Sequence, residues 1–102
     1  MKDADFNRAS WARCQKLGRV PSPVLYGAYQ ANVHVAAAVF ERHWREELLR
    51  AGCRVESGLY GTAIFQPVDS DDMVAERWDT KDPYQIVLLA AVDAVLMKKG
   101  KP

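Results

Sequence analysis

Residues 22–52 read SPVLYGAYQANVHVAAAVFERHWREELLRAG, and the fold turns on how this stretch is organised. Ser22 is a good helix N-cap, and Pro23 sits at the first helical position, where its missing N–H costs nothing. Apart from Gly27, no breaker follows until Gly52, so the spacing predicts one long helix of about 28 residues. At 100° per residue, Tyr26, Tyr29, Val33, Ala37, Phe40, Trp44 and Leu48 fall on one stripe, which is the pattern of a core-facing surface. Val24, Ala28, Ala31, Val35 and Val39 fall on the opposite face, where Arg42 and Glu46 then replace them. The first half of the helix is therefore apolar on both sides, while the second half is amphipathic.

Between Val24 and Phe40 there is no Asp, Glu, Lys or Arg. A membrane span is the rival reading, but it wants ~20 predominantly apolar residues. This run is shorter and is interrupted by Gln30, Asn32 and His34, so no membrane-crossing segment is expected. Near the C-terminus, Ile86 to Met97 is apolar except for Asp93. A helix that is apolar all round must be surrounded. Size sharpens the point. A 28-residue helix is ~42 Å long, against a diameter of ~34 Å for a compact chain of this length. Such a helix spans a flattened fold or projects from a spherical one. A second chain would supply the missing cover, and alanines 28, 31 and 36–38 would let it approach closely. A homodimer or a tight complex with another protein is expected on this ground. In the competing arrangement the last helix lies in that groove within one chain.

Elsewhere the punctuation is clear. A first helix is expected from about Asp5 to Leu17, with Phe6, Trp11, Cys14 and Leu17 as its apolar residues, Gly18 as its stop, and Pro21 and Pro23 beyond. After Gly52, residues 54–57 and 62–65 flank Gly58-Leu59-Tyr60-Gly61, the pattern of a short hairpin or paired extended segment. Asp69 caps a predicted short helix through about Trp78, with Val68 and Met73 spaced as a hydrophobic staple. Asp82-Pro83-Tyr84-Gln85 opens a last helix, and Lys98, Lys99 and Gly100 suit its end. The expected fold is a single domain, 1–102, that is mainly α. It has about four helices, one of them long, and a short β-hairpin or extended segment between the second and third.

Composition excludes the extremes. Of 102 residues, 49% are hydrophobic and 26% charged, and the net charge is +1, which fits neither a collagenous nor a wholly disordered chain. The near-zero charge hides an uneven distribution: +3 over residues 1–20, +1 over 21–54, −5 over 55–83 and +2 over 84–102. Internal pairing or solvated helix ends account for this without a charged partner. Two cysteines, Cys14 and Cys53, are too few for a disulfide scaffold and fit a reducing compartment. Met1-Lys2-Asp3-Ala4-Asp5 carries no secretory pattern, so a cytoplasmic location is expected.

Catalytic, metal and cofactor chemistry find little support. His34 and His43 are nine residues apart and fall on opposite helix faces, and His43 with Glu47 makes an ordinary i, i+4 pair. Asp69-Ser70-Asp71-Asp72 fails as a calcium loop, because Val74 and Thr80 stand where glycine and glutamate are needed. Cys14 lies beside Arg13 and near Lys16, which favours a reactive thiolate, yet it also occupies an apolar helix position, which favours a buried inert thiol. No phosphate-binding glycine loop and no G-x-S-x-G occurs. In a helix-turn-helix the second helix presents polar groups to DNA. Here the second members open with Val24-Leu25-Tyr26 and Tyr84-Gln85-Ile86, so nucleic acid is not an expected partner. Asp93 marks either a solvent edge or a pair with an arginine across a subunit contact.

These readings converge on a small non-enzymatic protein–protein interaction module, a regulatory adaptor or inhibitor (anti-activator) that masks or bridges a larger protein through apolar helix faces. Its expected interface is Val24, Ala28, Tyr29, Ala31, His34, Val35 and Val39, and no catalytic, cofactor or metal residue is assigned. Two alternatives remain. One is a small-molecule-binding or catalytic pocket between the two long helices, lined by Tyr26, Trp44 and Trp78. The other is a weak nucleic-acid-binding protein that contacts phosphates with Arg8, Arg13, Lys16 and Arg19 of the first helix.

Overall fold

Asn32 is where the expected long helix is broken. Its backbone is extended, at φ −151° and ψ 107°, and its side-chain oxygen accepts hydrogen bonds from the amides of His34 and Val35, both at 3.1 Å. Asparagine is favoured at this capping position and is mediocre inside a helix, because its side chain competes for backbone groups. The computed structural model describes residues 1–21, 32–58, 61–65, 73–77 and 83–97, the strands through their backbone. The expected start at Ser22 and Pro23 lies outside these residues. The continuous helix of about 28 residues is corrected to an 18-residue helix, Val33–Arg50.

The chain begins with helix α1, Asp3–Leu17, whose first turn carries Asp3 and Asp5 at the end where negative charge is favourable. It stops at Gly18, which takes φ +73°, and the amides of Gly18 and Arg19 close back on the carbonyls of Gln15 and Cys14. Helix α2, Val33–Arg50, ends by the same device. Gly52 has φ +91°, and the amides of Gly52 and Cys53 return to the carbonyls of Leu49 and Leu48 at 3.0 and 2.9 Å. In both cases a left-handed glycine lets the chain turn while satisfying carbonyls that the helix leaves open.

Three strands follow, β1 (Arg54–Gly58), β2 (Gly61–Phe65) and β3 (Met73–Arg77), in an antiparallel sheet of order β1-β2-β3. β1 and β2 pair from Arg54 with Phe65 to Gly58 with Gly61, and β2 pairs with β3 through an irregularity between Ile64 and Phe65. The short helix expected from Asp69 to Trp78 is corrected over 73–77, where ladder bonds to β2 satisfy the backbone in place of a helical turn. Helix α3 runs Pro83–Ala91 and passes directly into a π-helical turn, Val92–Met97. The structure is mainly helical, with three helices among the described residues in place of about four. The predicted end of the last helix at Lys98, Lys99 and Gly100 lies outside them.

The core is built where α1, α2 and α3 meet. Phe6, Phe40, Trp44, Leu48, Leu88 and Val92 are each fully buried there, and side chains of this kind contribute about 1.5–3 kcal/mol apiece to the driving force. Trp44 keeps its polar handle satisfied by donating its indole N–H to Ser10 Oγ at 3.0 Å. α3 packs against α1 and α2, and also against β2 and β3. The result is a flattened body measuring 39 × 36 × 16 Å.

Candidate functional site

The start of α2 is held in place by polar side chains from two other elements. Asn7 of α1 donates from Nδ2 to the carbonyl of Val33 at 2.9 Å. His34 Nδ1 stands 2.7 Å from Asp3 Oδ2, and Gln85 of α3 donates from Nε2 to Asp3 Oδ1 at 2.9 Å and to Glu41 Oε2 at 3.4 Å. Hydrogen bonds from His34 and then Gln85 hold the Asp3 carboxyl below its ordinary value. Burial acts oppositely on Glu41 and raises its carboxyl above the usual range. Two buried oxygens in this network, Asn7 Oδ1 and Gln85 Oε1, accept no hydrogen bond from the described residues.

With its backbone fixed from below, α2 presents a partly apolar outer face. Val35 is 49% exposed and Val33 38%, on either side of an exposed His34. One turn further on, Val39 is half-buried and helps to line a shallow groove of about 390 Å³ together with Pro21, Arg42, His43 and Glu46. Burial lowers the His43 imidazole below its ordinary value, against an opposing pull from Glu47 and Glu46. Of the expected interface, the structure brings His34, Val35 and Val39 to this face, whereas Val24, Ala28, Tyr29 and Ala31 lie outside the described residues. Its spacing puts Val33 on the core stripe; the structure exposes it, because it is the first residue of α2 and has no preceding turn within that helix.

A second concavity, of about 440 Å³, lies at the other end of α2, between the C-termini of α1 and α2 and the π-helical turn. Leu17, Ala51 and Leu96 give it an apolar side, and Lys16, Arg19, Glu47 and Arg50 give it a charged one. Glu47 is buried and is clamped by two arginines: Oε1 lies 3.1 Å from an Arg19 guanidinium nitrogen and Oε2 3.0 Å from one of Arg50. Sequence reasoning missed this group, because Arg19 and Glu47 are far apart in the chain and Glu47 reads as one charge on a mixed helix face.

Trp44 is fully buried in the core and lines neither of these two concavities; Tyr26 and Trp78, its expected companions in a pocket, lie outside the described residues. Cys14 and Cys53 are both buried. Burial, reinforced by the nearby Glu47 charge, pushes the Cys14 thiol up to about 12, so proximity in sequence to Arg13 and Lys16 does not make it a nucleophile. Asp93 is paired, but within its own chain: its two oxygens accept from Arg13 Nε and a terminal Arg13 nitrogen, each at 2.8 Å. The arginine across a subunit contact is thereby corrected to one on α1. Arg13 is thus committed to Asp93 and to the carbonyl of Ala9, which takes it out of the expected phosphate-binding set. Among the described residues no group of three or more His, Cys, Asp or Glu side chains is arranged to hold a metal ion. No described helix is long and apolar enough to cross a membrane. No known protein family, curated protein or solved structure matches this chain.

Proposed function

We propose that this chain is a protein–protein interaction module, a small regulatory adaptor or inhibitor that masks or bridges a larger protein through the N-terminal half of α2. The observation that carries the reading is the pair of exposed valines, Val33 and Val35, on a helix start that three other side chains lock in place. Apolar side chains held exposed on a rigid backbone favour association, since little ordering is required on binding. Val35, His34 and the groove at Val39 form the centre of the contact, with Val24, Ala28, Tyr29 and Ala31 as its proposed extension. A second copy of this chain is one candidate occupant, and a different protein is the other. Two cysteines in the whole chain, both buried, are too few for a disulfide scaffold and support a reducing compartment such as the cytoplasm.

The test is Val35→Asp, a substitution at a half-exposed helix position that leaves the core untouched. Light scattering across micromolar concentrations and affinity capture from the native cell extract are compared for the wild-type and variant proteins. The expected result is loss of the self-association or of a stoichiometric partner, with an unchanged melting temperature. Identical oligomer size and identical captured proteins would overturn the assignment.

A further inference from the structure

The cavity at the C-terminal ends of α1 and α2 lies at the opposite end of a helix ~27 Å long from Val33 and Val35. Among the described residues three cations face it, from Lys16, Arg19 and Arg50, against the one carboxylate of Glu47. The Arg19 and Arg50 side chains remain 69% and 70% exposed while each spends one nitrogen on Glu47. A guanidinium has five N–H donors, so both retain donors for a second acceptor. Arginines near helix C-termini ordinarily serve the open carbonyls there. Here backbone amides already do much of that work: the carbonyls of Cys14 and Gln15 are closed by Arg19 and Gly18, and those of Glu47, Leu48 and Leu49 by Ala51, Cys53 and Gly52. The apolar side of the cavity, Leu17, Ala51 and Leu96, lies against this surplus of positive charge. Leu96 belongs to the π-helical turn, a geometry that recurs at functional sites.

We propose that this cavity binds a small amphipathic monocarboxylate. Its head pairs with Arg19 and Arg50 above Glu47, with Lys16 adding to the field, and its apolar body lies on Leu17, Ala51 and Leu96. A single negative charge suits the site better than a phosphate dianion, because Glu47 and the ends of two helix dipoles oppose a second one. The volume falls within the 300–1,000 Å³ range of small-molecule sites.

Octanoate is the probe, with acetate as a head without a tail and octanol as a tail without a head. Backbone amide shifts of the full chain are followed by NMR during each titration. The expected result is saturable binding of octanoate, with shifts centred on residues 16–19, 47–51 and 96, and at least tenfold weaker binding of acetate and octanol. Lys16→Gln, which leaves the Glu47 pairs intact, weakens octanoate severalfold at an unchanged melting temperature, and Arg19→Gln weakens it at least tenfold. Non-saturating shifts, shifts centred elsewhere, or octanol binding as tightly as octanoate would each overturn the proposal. The wild-type titrations decide it even if Arg19→Gln does not fold. Because Val35 is remote from the cavity, Val35→Asp leaves octanoate binding unchanged, so this result and that of the interaction test stand independently.

Discussion

Cys14 and Glu41 illustrate how burial overrides the charges that flank a residue in sequence. Arg13 and Lys16 stand close to Cys14 along the chain, but Arg13 is turned to Asp93, and the thiol is enclosed in the core within the influence of Glu47. With the thiol pushed up to about 12, it stays protonated at neutral pH. Iodoacetamide is therefore expected to modify Cys14 only at the rate of opening or unfolding, and mass spectrometry of native and urea-treated protein checks this. The same shift carries a sign for stability. Above the ordinary thiol value the unfolded chain loses its proton while the folded chain keeps it, so stability falls as pH rises toward 12. Glu41 is an acid raised by burial, and its ionised form is the costly one in the fold. Folding is thus penalised at pH values above its raised folded value and relieved as pH falls through it. Glu41→Gln keeps an oxygen to accept from Gln85 and removes the charge. Its melting temperature is expected to exceed that of the wild type at pH 7, with the difference shrinking toward pH 4, as thermal denaturation across that range will show.

At the scale of elements, the stops were legible and one start was not. Gly18 and Gly52 end α1 and α2 because only a residue tolerant of positive φ closes those turns, and glycine is visible in any sequence. Asn32 was hidden for a physical reason: the apolar spacing of Tyr29, Val33 and Ala37 runs through it without a break, and periodicity records faces rather than caps. The strand Met73–Arg77 was hidden differently, since Asp69 offers a good helix cap and only pairing with β2 makes the extended form preferable. The exposure of His34 and Val35 and the partial exposure of Val39, on which the proposed interface rests, follow from the same face pattern. The network beneath them does not, because Asp3, Asn7 and Gln85 meet only once three helices are assembled. The cap makes a prediction of its own. Asn32→Ala removes the acceptor of two amide hydrogen bonds, at a cost of about 1 kcal/mol. Urea denaturation should show the midpoint falling with an unchanged slope, which separates a lost cap from a changed unfolded state.

For the whole molecule, the question posed by the sequence was what covers its surplus of apolar helix. For the last helix, the chain itself does so. Val87, Leu88, Leu89, Ala91, Val92 and Val95 are buried among α1, α2 and the sheet, while Val33 and Val35 at the start of α2 stay exposed. Asp93 fits this arrangement. It is the one charge on an otherwise apolar stretch, it faces solvent, and its forked pair with Arg13 ties the π-helical turn to α1. Half-exposed pairs are screened by water and contribute little, while two-point arginine–carboxylate geometry strengthens them, so a coupling of about 0.5–1 kcal/mol is expected. A double-mutant cycle of Arg13→Ala and Asp93→Ala by urea denaturation measures it without counting the Arg13 contact to the Ala9 carbonyl. The coupling should shrink in 1 M salt, where charges are screened within ~3 Å. It should also be the same at low and high protein concentration, since both partners belong to one chain. A coupling that grew with concentration would instead place the arginine of this pair on a neighbouring subunit.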